Sequence, residues 1–105
     1  MDYRLTFTQR VLNDLGEIIG HIAKDDGDAA SRFGNSLLDH VELLSRFPRM
    51  GATIRKRSRV RKLSHTPIVV YYPIREDKHT VEIVHLRHAA RKFPKFLDRR
   101  ASRSA

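Results

Sequence analysis

The sequence predicts an α+β domain with the element order β-α-α-β-β-β: a helix hairpin packed on a small, mainly antiparallel sheet. Three observations predict it. The chain opens on an alternating segment, DYRLTF. Two stretches follow whose apolar residues fall three and four apart. Two β-branched, aromatic runs then come in succession, HTPIVVYYPI and KHTVEIVHL, separated by a polar REDK turn.

Each element has its own local reason. In DYRLTF, Tyr3, Leu5 and Phe7 share one side, the period of a half-buried strand. Thr8 can cap the first helix, whose stripe is Val11, Leu12, Leu15, Ile18, Ile19, Ile22 and Ala23. KDDGD ends it, and Asp26 or Asp28 can cap the second. That helix shows Ala30, Phe33, Leu37, Val41 and Leu44 on one face and is expected to stop at Pro48 and Gly51. So short a link predicts an antiparallel hairpin. The basic segment from Ile54 to His65 supplies a third strand with its lead-in loop. Pro73 has no N–H to donate, so a strand end or bulge is expected there. The hairpin covers one sheet face and leaves the other open or for a partner. The expected core is Leu12, Leu15, Ile18, Ile22, Phe33, Leu37, Val41, Val70 and Ile83.

Composition narrows the function classes. A chain of 105 residues fits one domain, here residues 1–97 with a basic, disordered tail over 98–105. There is no Cys, so thiolate metal sites and disulfides are excluded, and no cofactor motif is present. No segment reads as a signal peptide or bilayer span, which predicts a cytoplasmic protein with no membrane partner. Lys plus Arg is 21 against 12 Asp plus Glu, a net +9 that calls for an anionic partner.

The charge peaks in RFPRMGATIRKRSRVRK, residues 46–62, with eight cations and no acid. In an extended chain Arg55, Arg57, Arg59 and Arg61 share one face, with Ile54 and Val60 turned to the core. Leu63 then falls on the arginine side, which predicts a bulge or turn near it. Charge runs are usually solvated faces. Eight cations repel one another, however, and an anionic partner would offset that cost.

Four pieces in order carry a family resemblance: YRLTFTQRVLNDLGEIIGHIA, AASRFGNSLLDHVELLSRFPRMG, VRKLSHTPIVVYYPI and VEIVHLRHAARKF. Over about residues 3 to 93 the chain resembles the RelE/ParE superfamily, toxins of bacterial type II toxin–antitoxin pairs. The L-x-x-F-P-x-M-G helix exit and the closing strand running into H-A-A-R are its more specific motifs. The resemblance implies a cognate antitoxin, commonly acidic, that folds over the toxin.

The superfamily splits by target, and the residues favour one side. RelE-type members are ribosome-dependent mRNA endonucleases. They use an Arg on the middle strand, a second Arg after the last strand and often a Tyr near the C-terminus. Here Val69 stands at the first position and no Tyr follows Tyr72, while Arg91 survives. ParE-type members poison DNA gyrase without covalent chemistry of their own. The aliphatic middle strand IVVYY and a final L-x-H-x-x-R (Leu86, His88, Arg91) are similar to that branch. The resemblance therefore implies a gyrase poison; it carries over no contact set, and the charge pattern and the closing motif make Arg55, Lys56, Arg57, Arg59, Arg61, His88, Arg91 and Lys92 the expected antitoxin- or target-binding residues. The alternative is a ribonuclease with His65 as base, His88 as acid, and Arg61 and Arg91 on the phosphate. Histidines at strand ends are more often surface or packing residues than catalysts, and His21, His40 and His79 are assigned no role. A basic nucleic-acid module is a third reading. It lacks zinc-ligand spacing and a helix-turn-helix, and Tyr71 and Tyr72, which could stack on bases, sit in an apolar strand that predicts core packing.

Overall fold

The structure, a computed structural model, describes residues 2–55 and 59–89. The order is β1 (Arg4–Phe7), α1 (Gln9–Asp25), α2 (Gly27–Glu42), β2 (Ala52–Thr53), β3 (Val60–His65), β4 (Ile68–Arg75), β5 (Thr80–Ile83) and β6 (His85–His88). It is the expected α+β arrangement, with two helices on a mixed, mostly antiparallel sheet. Lys56, Arg57, Arg91, Lys92 and the expected 98–105 tail lie outside the described residues.

The helix ends are fixed by side chains. Thr8 Oγ1 accepts from the Val11 amide at 3.2 Å, and Asp26 Oδ1 accepts from the Ala29 amide at 3.0 Å. Asp26, not Asp28, is the cap of α2. The second helix ends at Glu42, earlier than expected. The chain reaches Gly51 through two 3-10 turns, Leu43–Ser45 and Pro48–Met50. Val11, Leu37, Val41 and Leu44 are buried against Val70, Val81 and Ile83, with Leu15, Ile18 and Phe33 partly buried beside them.

Leu12 corrects the expected core: it is 47% exposed. Val11 takes the sheet-facing place in that turn. Leu12, one helical step of 100° further, points to the outside of the hairpin, where Leu38 is also exposed. Ala23 is exposed for the same reason.

The sheet runs β1-β5-β4-β3-β2, with β6 also paired to β4; β1 and β5 are parallel. Three expectations change here. The segment foreseen as one closing strand is two, broken at Val84: β5 pairs with the C-terminal end of β4, and β6 with its first four residues. Pro73, expected at a strand end or bulge, lies instead within β4 opposite Val60, between these two partnerships, where the missing N–H costs nothing. The third change concerns β3, which has no bulge at Leu63. Leu63 pairs with Val70 and faces the helices, so Arg61 and His65 face that way too. Val60 and Ile54 instead join Val69, Tyr71 and Val84 in a second apolar cluster on the opposite face. That face is therefore partly covered. Both tyrosines of β4 are fully buried, as core packing requires.

Tyr72 fastens the helix layer to the sheet. Its hydroxyl donates to the Pro48 carbonyl at 2.8 Å and accepts from the Gly51 amide at 2.9 Å. A Cβ at Gly51 would lie 2.4 Å from that oxygen and 2.6 Å from the Lys62 carbonyl. Close approach, not backbone angle, is why glycine stands there. Gly51→Ala should cost about 1–3 kcal/mol through overpacking. Tyr72→Phe should cost a similar amount, about 1–3 kcal/mol, by leaving buried groups unsatisfied. In a double-mutant cycle by urea denaturation the pair should be less destabilised than the sum, because removing the hydroxyl relieves part of the clash.

Candidate functional site

The described arginines of the basic segment are not equivalent. Arg61 is turned back onto the fold. Its guanidinium donates to the Gly51 carbonyl at 2.8 Å and the Arg49 carbonyl at 3.4 Å, holding the turn that Tyr72 also holds. Arg59 is exposed and Arg55 half-buried.

Beyond Pro73, β4 continues with β5 after β3 has ended, and a groove of about 1020 Å³ opens between the two parts of the sheet. One wall carries Thr53, Arg59 and Arg61; the other carries Arg4, Thr6, Thr80 and Glu82. At its end Glu76 binds the Arg49 guanidinium and accepts from the Tyr3 hydroxyl at 2.5 Å. These donors hold the Glu76 carboxyl below its usual range, Tyr3 first and Arg49 next, and Glu76 in turn raises the Tyr3 phenol. Tyr3 stacks on His79 with ring centroids 3.9 Å apart. Arg75 pairs with Glu82 at 3.3 Å.

The histidines lie elsewhere. Both His65 and His88 are in register with Ile68, one from each side. Two strand spacings separate them by about 10 Å. His88 is exposed at the end of β6. His65 is half-buried against α2, its Nδ1 2.9 Å from His40 Nδ1 and its Nε2 3.3 Å from Ser36 Oγ. Arg61 is turned away from both histidines, its guanidinium bonded to the 49–51 turn. His85 is buried beside the Tyr71 ring, and the Arg87 Nε donates to the Tyr71 hydroxyl at 2.7 Å. His40 and Arg87 are the contacts that sequence reading missed. A histidine one turn after Ser36, on the edge of the apolar stripe, was the available signal for the first. Among the described residues no group of three or more His, Asp or Glu could hold a metal ion, and no helix is long and apolar enough to cross a membrane.

Burial first, and His40 second, lower the pKa of His65; burial first, then Arg10, lowers that of His85. A histidine depressed in the folded state binds fewer protons there than when unfolded. Its contribution is complete above the ordinary value of 6.5 and is lost as pH falls through the folded pKa. The melting temperature should therefore drop between pH 7.5 and pH 5, and His65→Gln should flatten that slope in a series of thermal melts.

Comparison with known proteins places this architecture. The family described as the ParE toxin of type II toxin-antitoxin system, parDE, matches residues 5–93. The Y4kP protein of Sinorhizobium fredii (strain NBRC 101917 / NGR234), itself named as a candidate toxin, is 36% identical over 95 residues, spanning 90% of this chain and 96% of that protein. Among solved structures, the chromosomal ParDE system of P. aeruginosa superposes with a TM-score of 0.70 at 19% identity, over 82% of this chain and 95% of that one. The RelBE2 toxin–antitoxin complex of Mycobacterium tuberculosis gives 0.64 at 21% identity, over 84% and 99%. Isolated E. coli RelE gives 0.55 at 18% identity, over 98% and 99%. The helix hairpin, the divided sheet and the matched span together assign the chain to the ParE toxin family of type II toxin–antitoxin systems.

Proposed function

We propose that this toxin acts on DNA gyrase, trapping the enzyme on cleaved DNA, and that a cognate acidic antitoxin folding over the basic segment neutralises it. One observation carries the gyrase reading: two of the four groups a ribonuclease would use, Arg61 and His65, are engaged in contacts within the fold, and the middle-strand arginine is replaced by valine. Arg61 is tied to the carbonyls of the 49–51 turn, His65 to His40 and Ser36, and Val69 is a buried residue of the middle strand. A toxin that works by binding needs no proton donor, no proton acceptor and no free phosphate clamp. The net charge of +9 suits DNA held by gyrase and speeds encounter with it.

Partner binding by the antitoxin is supported by the solved relatives, which include toxin–antitoxin complexes. Acidic side chains over Arg55 to Arg61 would offset the repulsion within that segment, and apolar anchors would gain burial as the antitoxin orders.

Purified toxin added to gyrase, supercoiled plasmid and ATP should yield linear DNA after protein digestion, and antitoxin should abolish it. A toxin that stops growth but gives no linear DNA would point to mRNA cleavage on translating ribosomes, with His65, His88, Arg61 and Arg91 as the residues to substitute. For the antitoxin, replacing Arg55, Arg57 and Arg59 with Glu should weaken binding by about tenfold or more in calorimetry at low salt. Unchanged affinity would remove this segment from the interface.

A further inference from the structure

The charge of this chain is divided between its layers. The first 45 residues, which include both helices, hold four Lys or Arg against eight Asp or Glu, a net −4. The described residues from Arg46 to Ala89 hold nine against three, a net +6. A polyanion is therefore repelled by the helix layer and drawn to the sheet end, and the molecule meets it in one orientation.

At that end lies the groove opened beside Pro73. Its cations fall into two sets. Arg49 and Arg75 are neutralised by Glu76 and Glu82, and Arg61 is held by carbonyls. Arg4, Arg59 and Lys78 line the same groove with no salt-bridge partner among the described residues, and the one further carboxylate of the lining, Asp77, leaves this second set a net positive charge. Thr6 and Thr53 add hydroxyls between them. Ile74 is the one apolar residue of the lining among the described residues. A peptide that folds on binding needs apolar anchors, which this groove lacks. A phosphodiester backbone needs only cations and donors along its path.

We infer that this groove is a phosphodiester-backbone site, with Arg4, Arg59 and Lys78 as its cationic contacts and duplex DNA as its ligand. The higher charge density of a duplex releases more counterions per contact than a single strand. The site gives the toxin its own grip on DNA, whatever protein it inhibits.

The test uses toxin alone, so it stands or falls apart from the gyrase reading. Fluorescence anisotropy with a labelled 20-base-pair duplex measures affinity across a salt series. Binding should weaken steeply with salt. Arg4→Glu/Arg59→Glu should cost at least about tenfold in affinity and lower the salt slope by about two, one for each lost phosphate contact. Arg10→Glu/Arg32→Glu, an equal charge change on the helix layer, should cost less than about threefold, since those residues lie away from the groove. Lys78→Glu, a single exposed change, gives a second reading should the first variant not fold. Equal losses in groove and helix variants would overturn the site, leaving only net charge. Absence of binding at low salt would overturn it outright. Tighter binding of a 20-nucleotide single-stranded RNA would overturn the duplex assignment.

Discussion

One buried hydroxyl joins the two layers of this toxin. Tyr72 stands in the middle of the central strand with its ring in the core, and its oxygen bridges the Pro48 carbonyl and the Gly51 amide. Those two groups belong to the turn that brings the chain from the helices back to the sheet. Without the bridge, both would be buried and unsatisfied. Arg61 seals the same turn from outside through the Gly51 carbonyl. The helix exit, the start of β2 and the direction of the basic segment all follow from where this turn is held. Arg61 is thereby drawn out of the set of freely available cations.

A second constraint follows from the central strand. On one edge, β4 is shared by β6 and β5 in sequence, and Pro73 sits at the change of partner. The strand on the other edge, β3, begins opposite the same residue. The sheet therefore divides at Pro73 and leaves a groove there, to which β1 to β5 bring arginines and threonines and the turn between β4 and β5 brings a lysine. Charge segregation between the layers then gives that groove its sign. Electrostatics and sheet topology act together here, and neither alone would make a site.

Much of this was legible in the sequence wherever local physics decides. Thr8 and Asp26 announce their helices because a cap is made within three residues. Val11, Leu37, Val41 and Leu44 announce their face because the helical period is short. What escaped was decided at long range. Leu12 belongs to the apolar stripe of α1, but the rotation of the hairpin on the sheet leaves it outside. The break at Val84 is invisible in TVEIVHL, which has uniform strand character; it arises because β4 changes partner. The motif F-P-x-M-G could be quoted but not explained, since its physical reason is a tyrosine 21 residues after the glycine. The pairing of His65 with His40 likewise spans 25 residues.

The central claim is that inhibition comes from binding and not from proton transfer by His65 or His88. Its most direct test is growth arrest by a toxin carrying His65→Gln and His88→Gln, with antitoxin binding as the control for folding. The account predicts that this variant still arrests growth and still binds antitoxin. A variant that binds antitoxin but no longer arrests growth, while the parent toxin cleaves mRNA on ribosomes, would contradict it.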